Sequence, residues 1–427
     1  MRCLTLLILL LWLAMPSYSY AGDIAISLEE AEHLALTRNR DLRFAQHNIE
    51  AAAAKTLSAA TSPNPILFFS TSHFNPKSKP TSIFKSTPAE DIIRLDKTFE
   101  RGNKRELRIA KADSEFTATR LDFADALRQT RFNVRSAWFE LKQAERNVEL
   151  NSIIANQSEG ILELARRRFR AGDLSGANLG RFEADTARAR AGVRTAENTL
   201  TRARTVLGIL LADENHALQL VTRGDWPEEQ VKLPDTASIT AAIDQRPDTL
   251  AAIARVEAAR HNLALEQAKR TRDVTVSLEF ERQPEDVTQP RNALGLGVSV
   301  PLFLGNYFEG DIRRAHAELA QAEDYLEAIR ARTHAEINQF INELQHASDR
   351  WRSLQEQALP AARRTASAAE LAFSKGAIST LEFLDAQRIL RAAELDTLQA
   401  RSDLAKARAA LDTALEIAPP QEQEPAS

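Results

Sequence analysis

The sequence predicts a mainly α-helical protein with a small β part, built from two tandem structural repeats. One observation is an internal similarity at an offset of 203 to 204 residues, in which residues 169–175 match residues 373–379. Another is that residues 104–168 and 307–373 contain very little proline or glycine. The third is two pairs of short segments with strand character, one pair in each half. A repeat of this length predicts that both halves fold alike.

The composition excludes several classes of protein. The 55 Lys and Arg residues are balanced by 59 Asp and Glu residues, so no nucleic-acid partner is expected. The mean hydropathy of −0.34 excludes a polytopic helical membrane protein. The eight histidines are scattered and Cys3 is the only cysteine, so neither a metal site nor a cofactor is expected. No catalytic or nucleotide-binding motif is present, so an enzyme is not expected.

The first 21 residues are predicted to be a secretory signal peptide. Arg2 precedes an apolar segment at residues 4–15, and Ser19 and Ala21 are the small residues at positions −3 and −1 of a cleavage site. Cys3 lies before the apolar segment, so it cannot become a lipidated first residue of the mature chain. If the mature protein resides in a membrane, it must then do so through its own fold.

The first repeat is expected over residues 22–236. A helix is predicted over residues 27–60, with Ser27 and Glu30 placed as a capping box. Strands are predicted at about 66–72 and 92–99. A long helix over 104–168 follows, Gly172 marks a turn, and a second long helix returns over 179–211. About 65 helical residues measure roughly 100 Å, longer than the helices of ordinary globular domains.

The second repeat is expected over residues 237–417, with the same order of elements. A helix over 239–269 precedes strands at about 274–281 and 293–300, in which apolar residues alternate with polar or small ones. The long helix covers 307–373, Gly376 marks the turn, and the returning helix covers 381–417. Residues 418–427 form a polar tail that is predicted to be disordered.

Heptad repeats run through the long helices. In the last helix, large residues recur every seven positions from Phe383 to Leu411, and alanines recur every seven positions from Ala386 to Ala414. A row of large residues beside a row of alanines predicts tightly packed antiparallel coiled coils. Nearly all of these residues are interpreted as core.

Four strands in one chain cannot close a barrel, and an open sheet would expose its edges. Alternation of apolar with polar or small residues suits a wall between lipid and an aqueous lumen. A secreted chain with such strands could close its sheet by oligomerising, and three copies would supply twelve strands. The residues favour such an assembly without fixing the number of copies.

The sequence resembles the TolC family of outer membrane efflux proteins over essentially the whole mature chain. The resemblance lies in the segment from Ser27, in residues 169–175 and 373–379, and in the segments at 298–303 and 381–387. It implies a homotrimer with a 12-stranded β-barrel in the outer membrane of a Gram-negative bacterium, in contact with its lipid. A long periplasmic α-helical barrel of coiled coils would continue this β-barrel. It also implies two partners, a periplasmic adaptor (membrane fusion) protein and an inner-membrane pump of the resistance–nodulation–division (RND) type.

A finer resemblance is to the CzcC-like branch, which serves cation efflux. Residues 95–105 are similar to a glycine-lysine-arginine segment of that branch, although Asn103 stands where a second glycine is usual. This implies a passive export channel for heavy-metal cations. A channel for drugs and other organic solutes, or for type I protein secretion, is an alternative. A periplasmic coiled-coil scaffold without a pore is an alternative from a different class.

Glu382 and Asp385 are the candidate pore constriction. They lie three residues apart, so they share one face of the returning helix. The resemblance implies acidic residues here that narrow the pore. The matching residues of the first repeat, Asn178 and Arg181, are not acidic, so a trimer would carry a single ring of this pair. The competing interpretation is two solvated carboxylates in the first turn of a helix.

The two helical turns are the candidate adaptor-contacting tips. Positive φ is expected at both turn glycines, because a residue with a Cβ would be strained there. The residues assigned to this contact, here called the tip residues, are Arg170, Gly172, Asp173, Ser175, Lys375, Gly376 and Ser379.

Overall fold

The computed structural model describes residues 23–72, 90–228, 233–282 and 292–418. Most of these residues are helical and a minority form two small sheets, as the sequence predicts. The predicted signal peptide lies outside the described residues, and so does the predicted disordered tail apart from Ala418. Among the described residues, no helix combines the length and the apolar character that crossing a membrane requires.

The elements follow one another in the order β1-α1-α2-β2-β3-α3-α4-β4-α5-α6-β5-β6-α7-α8-α9. The helices are α1 (Leu28–Arg38), α2 (Arg40–Ala60), α3 (Lys104–Arg170), α4 (Gly176–Leu210), α5 (Thr236–Gln245), α6 (Pro247–Ala268), α7 (Glu309–Ser353), α8 (Leu359–Ser374) and α9 (Thr380–Ala414). The strands are β1 (Ile24–Ile26), β2 (Ile66–Ser72), β3 (Glu90–Phe99), β4 (Leu220–Thr222), β5 (Val274–Arg282) and β6 (Asn292–Ser299). A 3₁₀ helix (Glu214–Gln219) precedes β4.

Two helices predicted as continuous are each divided. The expected helix 27–60 breaks at Asn39, whose ψ of 134° is not helical and whose side-chain amide donates to the carbonyl oxygen of Leu210 at 3.0 Å. The expected helix 239–269 breaks at Arg246, with ψ of 141°. Pro247 follows directly, and a proline disfavours helical backbone in the residue before it. The capping box of Ser27 and Glu30 is present at the start of α1.

The long helices differ between the repeats. α3 runs for 67 residues without interruption, a length of roughly 100 Å. Its counterpart, predicted as one stretch over 307–373, contains a π-helical segment (Leu354–Ala358) between α7 and α8. Pro360 lies two residues after this segment. Proline has no N–H to donate to the preceding turn, and a widened turn next to it relieves the clash with the carbonyl groups there.

The chain forms two compact units, each assembled from three separate stretches. The first unit comprises the described residues of Met1–Arg40, Arg128–Leu233 and Asn338–Ala414. The second comprises those of Asp41–Leu127, Pro234–Ile337 and Leu415–Ser427. Because every unit takes stretches from both halves of the sequence, the units do not coincide with the two sequential repeats.

The first unit has an aromatic core around α3. Trp138 is buried, and its indole N–H donates to the carbonyl oxygen of Ile26 at 3.1 Å. Its ring meets Phe139 edge-on at 5.3 Å between centroids, and Phe139 stacks on Trp226 at 6.0 Å. Both predicted heptad rows of α9 are largely buried in this unit. The core therefore takes the residues that the heptad pattern indicates.

The second unit contains a four-stranded antiparallel sheet in the order β2-β3-β5-β6. Side chains on one face form two apolar rows across all four strands, and many of them are exposed. These rows are Leu67–Leu95–Leu278–Leu296 and Phe69–Ile93–Phe280–Leu294. The opposite face carries mainly polar and small residues on β3, β5 and β6. The sheet is thus apolar on one side and polar on the other.

The turn from β3 into α3 explains the unusual residue Asn103. Gly102 and Asn103 both have positive φ, at 76° and 58°. Asparagine is among the few residues other than glycine that enter this region readily, so Asn103 maintains a backbone that a second glycine would also allow. Lys104 then donates to the carbonyl oxygen of Thr271 at 2.7 Å and pairs with Asp273 at 2.8 Å.

Candidate functional site

Both predicted tips have the same backbone turn. Gly172 follows α3 with φ of +85°, and Gly376 follows α8 with φ of +73°, which confirms the positive φ expected at both glycines. In each turn the residue after the glycine donates its N–H back to the helix, Asp173 to Arg168 at 2.9 Å and Ala377 to Ala372 at 2.8 Å. This hydrogen bond characterises the Schellman motif, which ends a helix at a left-handed residue.

A serine begins the next helix in each hairpin, but only the second serine has a full capping box. Ser175 Oγ accepts from the backbone N–H of Asn178 at 3.3 Å. Ser379 Oγ accepts from the N–H of Glu382 at 3.3 Å, and the Glu382 carboxylate accepts from the N–H of Ser379 at 2.8 Å. The hydrogen bond from the Ser379 backbone lowers the pKa of Glu382 below its ordinary value near 4.5. Glu382 therefore caps α9 and also carries an exposed negative charge.

Asp385 and Glu382 differ in their surroundings. Asp385 pairs with Arg388 one turn further along α9, at 2.5 Å, and both side chains are exposed. Arg388 screens the negative charge of Asp385 without removing it. An exposed ion pair of this kind contributes little to stability. Both members of the predicted pair thus lie at the solvent-facing start of α9, directly after the second tip.

Arg391 lies about two turns after the acidic pair. Its contacts are with α3 and α4 rather than with Glu382 or Asp385. Its guanidinium pairs with Asp185 of α4 at 2.9 Å and donates to Ser158 Oγ of α3 at 2.8 Å. Its side chain is only 15% exposed. This contact links three helices of the first unit. No local sequence pattern indicates it, because the interaction depends on how two hairpins from different repeats pack.

A phenylalanine cluster joins the two tips. Phe373 stacks on Phe383 with 4.6 Å between ring centroids, and the ring of Phe182 lies 6.0 Å from Phe373 and 6.4 Å from Phe383. Arg168 lies over the ring of Phe373 at 5.3 Å. Phe169, which matches Phe373 in the repeat, is instead 44% exposed. The heptad pattern marks Phe182 and Phe383 as core, but it does not reveal that they stack with Phe373 and hold one tip against the other.

All the tip residues are exposed, and they come from two turns that this cluster holds in one unit. The structure places Arg170 at the end of α3 and Lys375 directly after α8, so each tip has a cation beside its glycine. Among the described residues, no group of three His, Cys, Asp or Glu side chains is arranged to hold a metal ion.

The polar face of the sheet carries a second charged group. Arg94 of β3 pairs with Asp96 at 3.1 Å, and its guanidinium lies 3.8 Å from the carboxylate of Glu279 on β5. The guanidinium also lies 4.8 Å from the ring centre of Phe68 on β2. Charged side chains of β3 and β5 and an aromatic ring of β2 thus lie on the same face, opposite the apolar rows.

We predict that Gly376→Ala lowers the stability of the turn at the second tip, whereas Gly180→Ala leaves that stability unchanged. A Cβ at either glycine would have no neighbouring atom within 4 Å, so the two substitutions differ only in backbone conformation. Gly376 has positive φ and Gly180 is helical, and the left-handed conformation costs a residue with a Cβ about 1–2 kcal/mol. Hydrogen exchange of the amides in 372–379 should therefore accelerate by about 5–30-fold in Gly376→Ala alone. Equal rates in the two variants would contradict the strain argument.

Comparison with known proteins places the chain in a family. The family model described as outer membrane efflux protein matches residues 32–212 and 238–415. The cobalt-zinc-cadmium resistance protein CzcC of Cupriavidus metallidurans is 24% identical over 401 residues, which cover 94% of this chain and 92% of that protein. The pyoverdine export outer membrane protein OpmQ of Pseudomonas aeruginosa is 26% identical over 61% of this chain and 55% of its own length. A crystal structure of CusC, described in terms of transmembrane channel formation, has a TM-score of 0.75 at 19% identity and covers 94% of this chain and 96% of CusC. The chain therefore belongs to the outer membrane efflux protein family.

Proposed function

We propose that this chain forms the outer membrane channel of a tripartite efflux system and passively exports heavy-metal cations. In this proposal three copies assemble, and a periplasmic adaptor couples them to an inner-membrane RND-type pump. Channels of this family are not enzymes. The observation that carries the proposal is the four-stranded sheet, which has one exposed apolar face, one polar face and no partner strand at either edge among the described residues.

The sheet supports a barrel wall in the outer membrane. Leu67, Leu294 and Leu296 are between 70% and 79% exposed, so the apolar face would be costly in water and favourable in lipid. Unpaired backbone groups at the sheet edges cannot be satisfied by lipid, and this requires closure into a barrel. Three copies would close a barrel of twelve strands, with the polar face around Arg94 and Glu279 lining the lumen.

The helices support the rest of the architecture. The two segments matched by the family model lie within the two predicted repeats, 22–236 and 237–417. We propose that the long helices form the periplasmic α-helical barrel by coiled-coil packing and that residues 1–21 direct export. The protein would reside in the outer membrane of a Gram-negative bacterium, with its helices in the periplasm.

We propose that the tip residues contact the adaptor. Both turns are fixed by Schellman hydrogen bonds and held together by the phenylalanine cluster, so they present a defined surface. The exposed cations Arg170 and Lys375 favour a partner surface that carries carboxylates. Preformed turns lose little conformational entropy when they bind, which favours docking at this position.

Heavy-metal cations are the proposed substrate because the relative that matches 94% of this chain is named for cobalt, zinc and cadmium resistance. The relative named for pyoverdine export matches a smaller share of the chain and represents the organic-solute alternative. A scaffold without a pore, the alternative from a different class, has no use for a sheet with an apolar exposed face.

Deletion of the gene from its host should lower the inhibitory concentrations of cobalt, zinc and cadmium by several-fold, and the intact gene should restore them. Sensitivity to organic toxins and secretion of proteins should stay unchanged. The bulky variant Gly376→Val should fail to restore metal resistance while its amount in the outer membrane stays normal, since it distorts a tip. Sensitivity to organic toxins alone, or to neither class, would contradict the proposed substrate.

We further propose that Glu382 and Asp385 form the pore constriction. Three copies would bring six carboxylates around one axis, and such a ring attracts cations over a Debye length of about 10 Å at 0.1 M salt. Glu382→Gln keeps an oxygen that can accept from the Ser379 N–H, so it removes charge while preserving the cap. The charge effect can thus be separated from the structural one.

Channels with Glu382→Gln and Asp385→Asn should show lower cation selectivity, measured as the reversal potential of planar bilayers in a salt gradient. The matched control is Glu29→Gln with Glu50→Gln, two exposed carboxylates on α1 and α2. If both double variants shift the reversal potential equally, the constriction lies elsewhere.

A further inference from the structure

The two edges of the four-stranded sheet are suited to each other. Neighbouring strands are antiparallel throughout, so β2 and β6 run in opposite directions. Among the described residues neither outer edge has a partner. A second copy of this chain could therefore place its β2 against β6 and continue the antiparallel sheet, with the apolar rows on one side.

From this we infer the register of the contact between copies: β2 pairs with β6 of the next protomer in a register shifted by four to six residues. Phe69 then lies opposite Val298 or Val300 of the neighbouring copy. An unshifted register would place Phe69 opposite Leu294, in continuation of the row Phe69–Ile93–Phe280–Leu294. This inference rests on the proposed trimer.

Barrel geometry limits the size of the shift. The shift at each contact must be even, because a slip of one residue would turn apolar side chains to the polar face. With three identical contacts, the total shift around the closed barrel is then a multiple of six residues. The strands lie about 4.8 Å apart and rise about 3.3 Å per residue. A total shift of about 12 residues therefore tilts the twelve strands by about 35° from the barrel axis, and a total of about 18 residues tilts them by about 46°. Totals of 6 and 24 give about 19° and 54°, outside the usual range of about 35–45°.

The neighbouring residues fix the direction of the shift. A shift of four in the opposite sense would leave only Ile66 and Leu67 of β2 opposite residues of β6, whereas the chosen direction keeps five residues of β2 opposite β6 for a shift of four and three for a shift of six. The chosen direction sets Phe69 against Val298 or Val300 and Leu67 against Val300 or Leu302. Apolar side chains then face each other on the lipid side.

The segment after β6 supports the same direction. The strand ends at Ser299, yet apolar residues continue at every second position through Val300, Leu302 and Leu304. Leu302 and Leu304 are 70% and 86% exposed in the protomer. A register shifted toward these residues extends the barrel wall past Ser299 and places apolar side chains that the isolated protomer leaves in water.

Cysteine cross-linking tests the register, because Cys3 is the only cysteine of the chain and lies in the predicted signal peptide. Three double variants combine Phe69→Cys with Val298→Cys, Val300→Cys or Leu294→Cys, all on the same face. Within one protomer β3 and β5 separate the two positions by about 14 Å, too far for a disulfide, so any link joins two copies. After oxidation of the full-length trimer with diamide, the Val298 or Val300 variant should give covalent dimers and trimers at least several-fold in excess of the Leu294 variant.

The strongest link with Leu294, or no link in any variant that remains trimeric, would overturn the inferred register and leave the proposed channel intact. A wild-type protein that is monomeric in detergent would instead contradict the trimer itself, and the register with it. If a double variant fails to reach the membrane, co-expression of Phe69→Cys with each single β6 variant gives mixed trimers with the same readout.

Discussion

The structure depends on one constraint, which is that a four-stranded sheet cannot satisfy its own edges in lipid. The strands β2, β3, β5 and β6 pair fully with one another, and the outer edges of β2 and β6 have no partner among the described residues. One face carries two continuous apolar rows. Water disfavours this face and lipid disfavours the open edges, so insertion into lipid removes the first cost and closure with further copies removes the second. The proposed trimer and its export function follow from this need for closure.

The tips show how local structure and proposed function share residues. Glu382 caps α9 through Ser379, and the same carboxylate is a candidate for the pore constriction. The capping role alone explains why an acid stands there, so only a substitution that keeps the cap separates the two roles. Phe182, Phe373 and Phe383 hold the two turns in one unit, which gives a partner protein a preformed surface.

Much of the fold follows from patterns that are local in sequence. Heptads in α9 identify its buried rows, alternation around Val298 identifies a strand, and glycines 172 and 376 identify the turns. Other features depend on contacts between distant residues. The break at Asn39 is held by the carbonyl of Leu210, and Arg391 pairs with Asp185 from the other repeat. The repeat also hides a difference, since Phe169 is exposed where Phe373 is stacked. The roles of the tip residues and the acidic pair remain proposals that come from resemblance.

The most direct measurement of the central claim is the mass of the intact assembly. Native mass spectrometry of the protein released from outer membranes in detergent reports both the number of chains and the mature mass of each. More than one copy is required, because four strands per chain close a wall only when other chains supply the remainder, and the proposed twelve-stranded barrel predicts three. A stable single copy with its sheet intact would contradict it, since that protein would tolerate open edges without a partner.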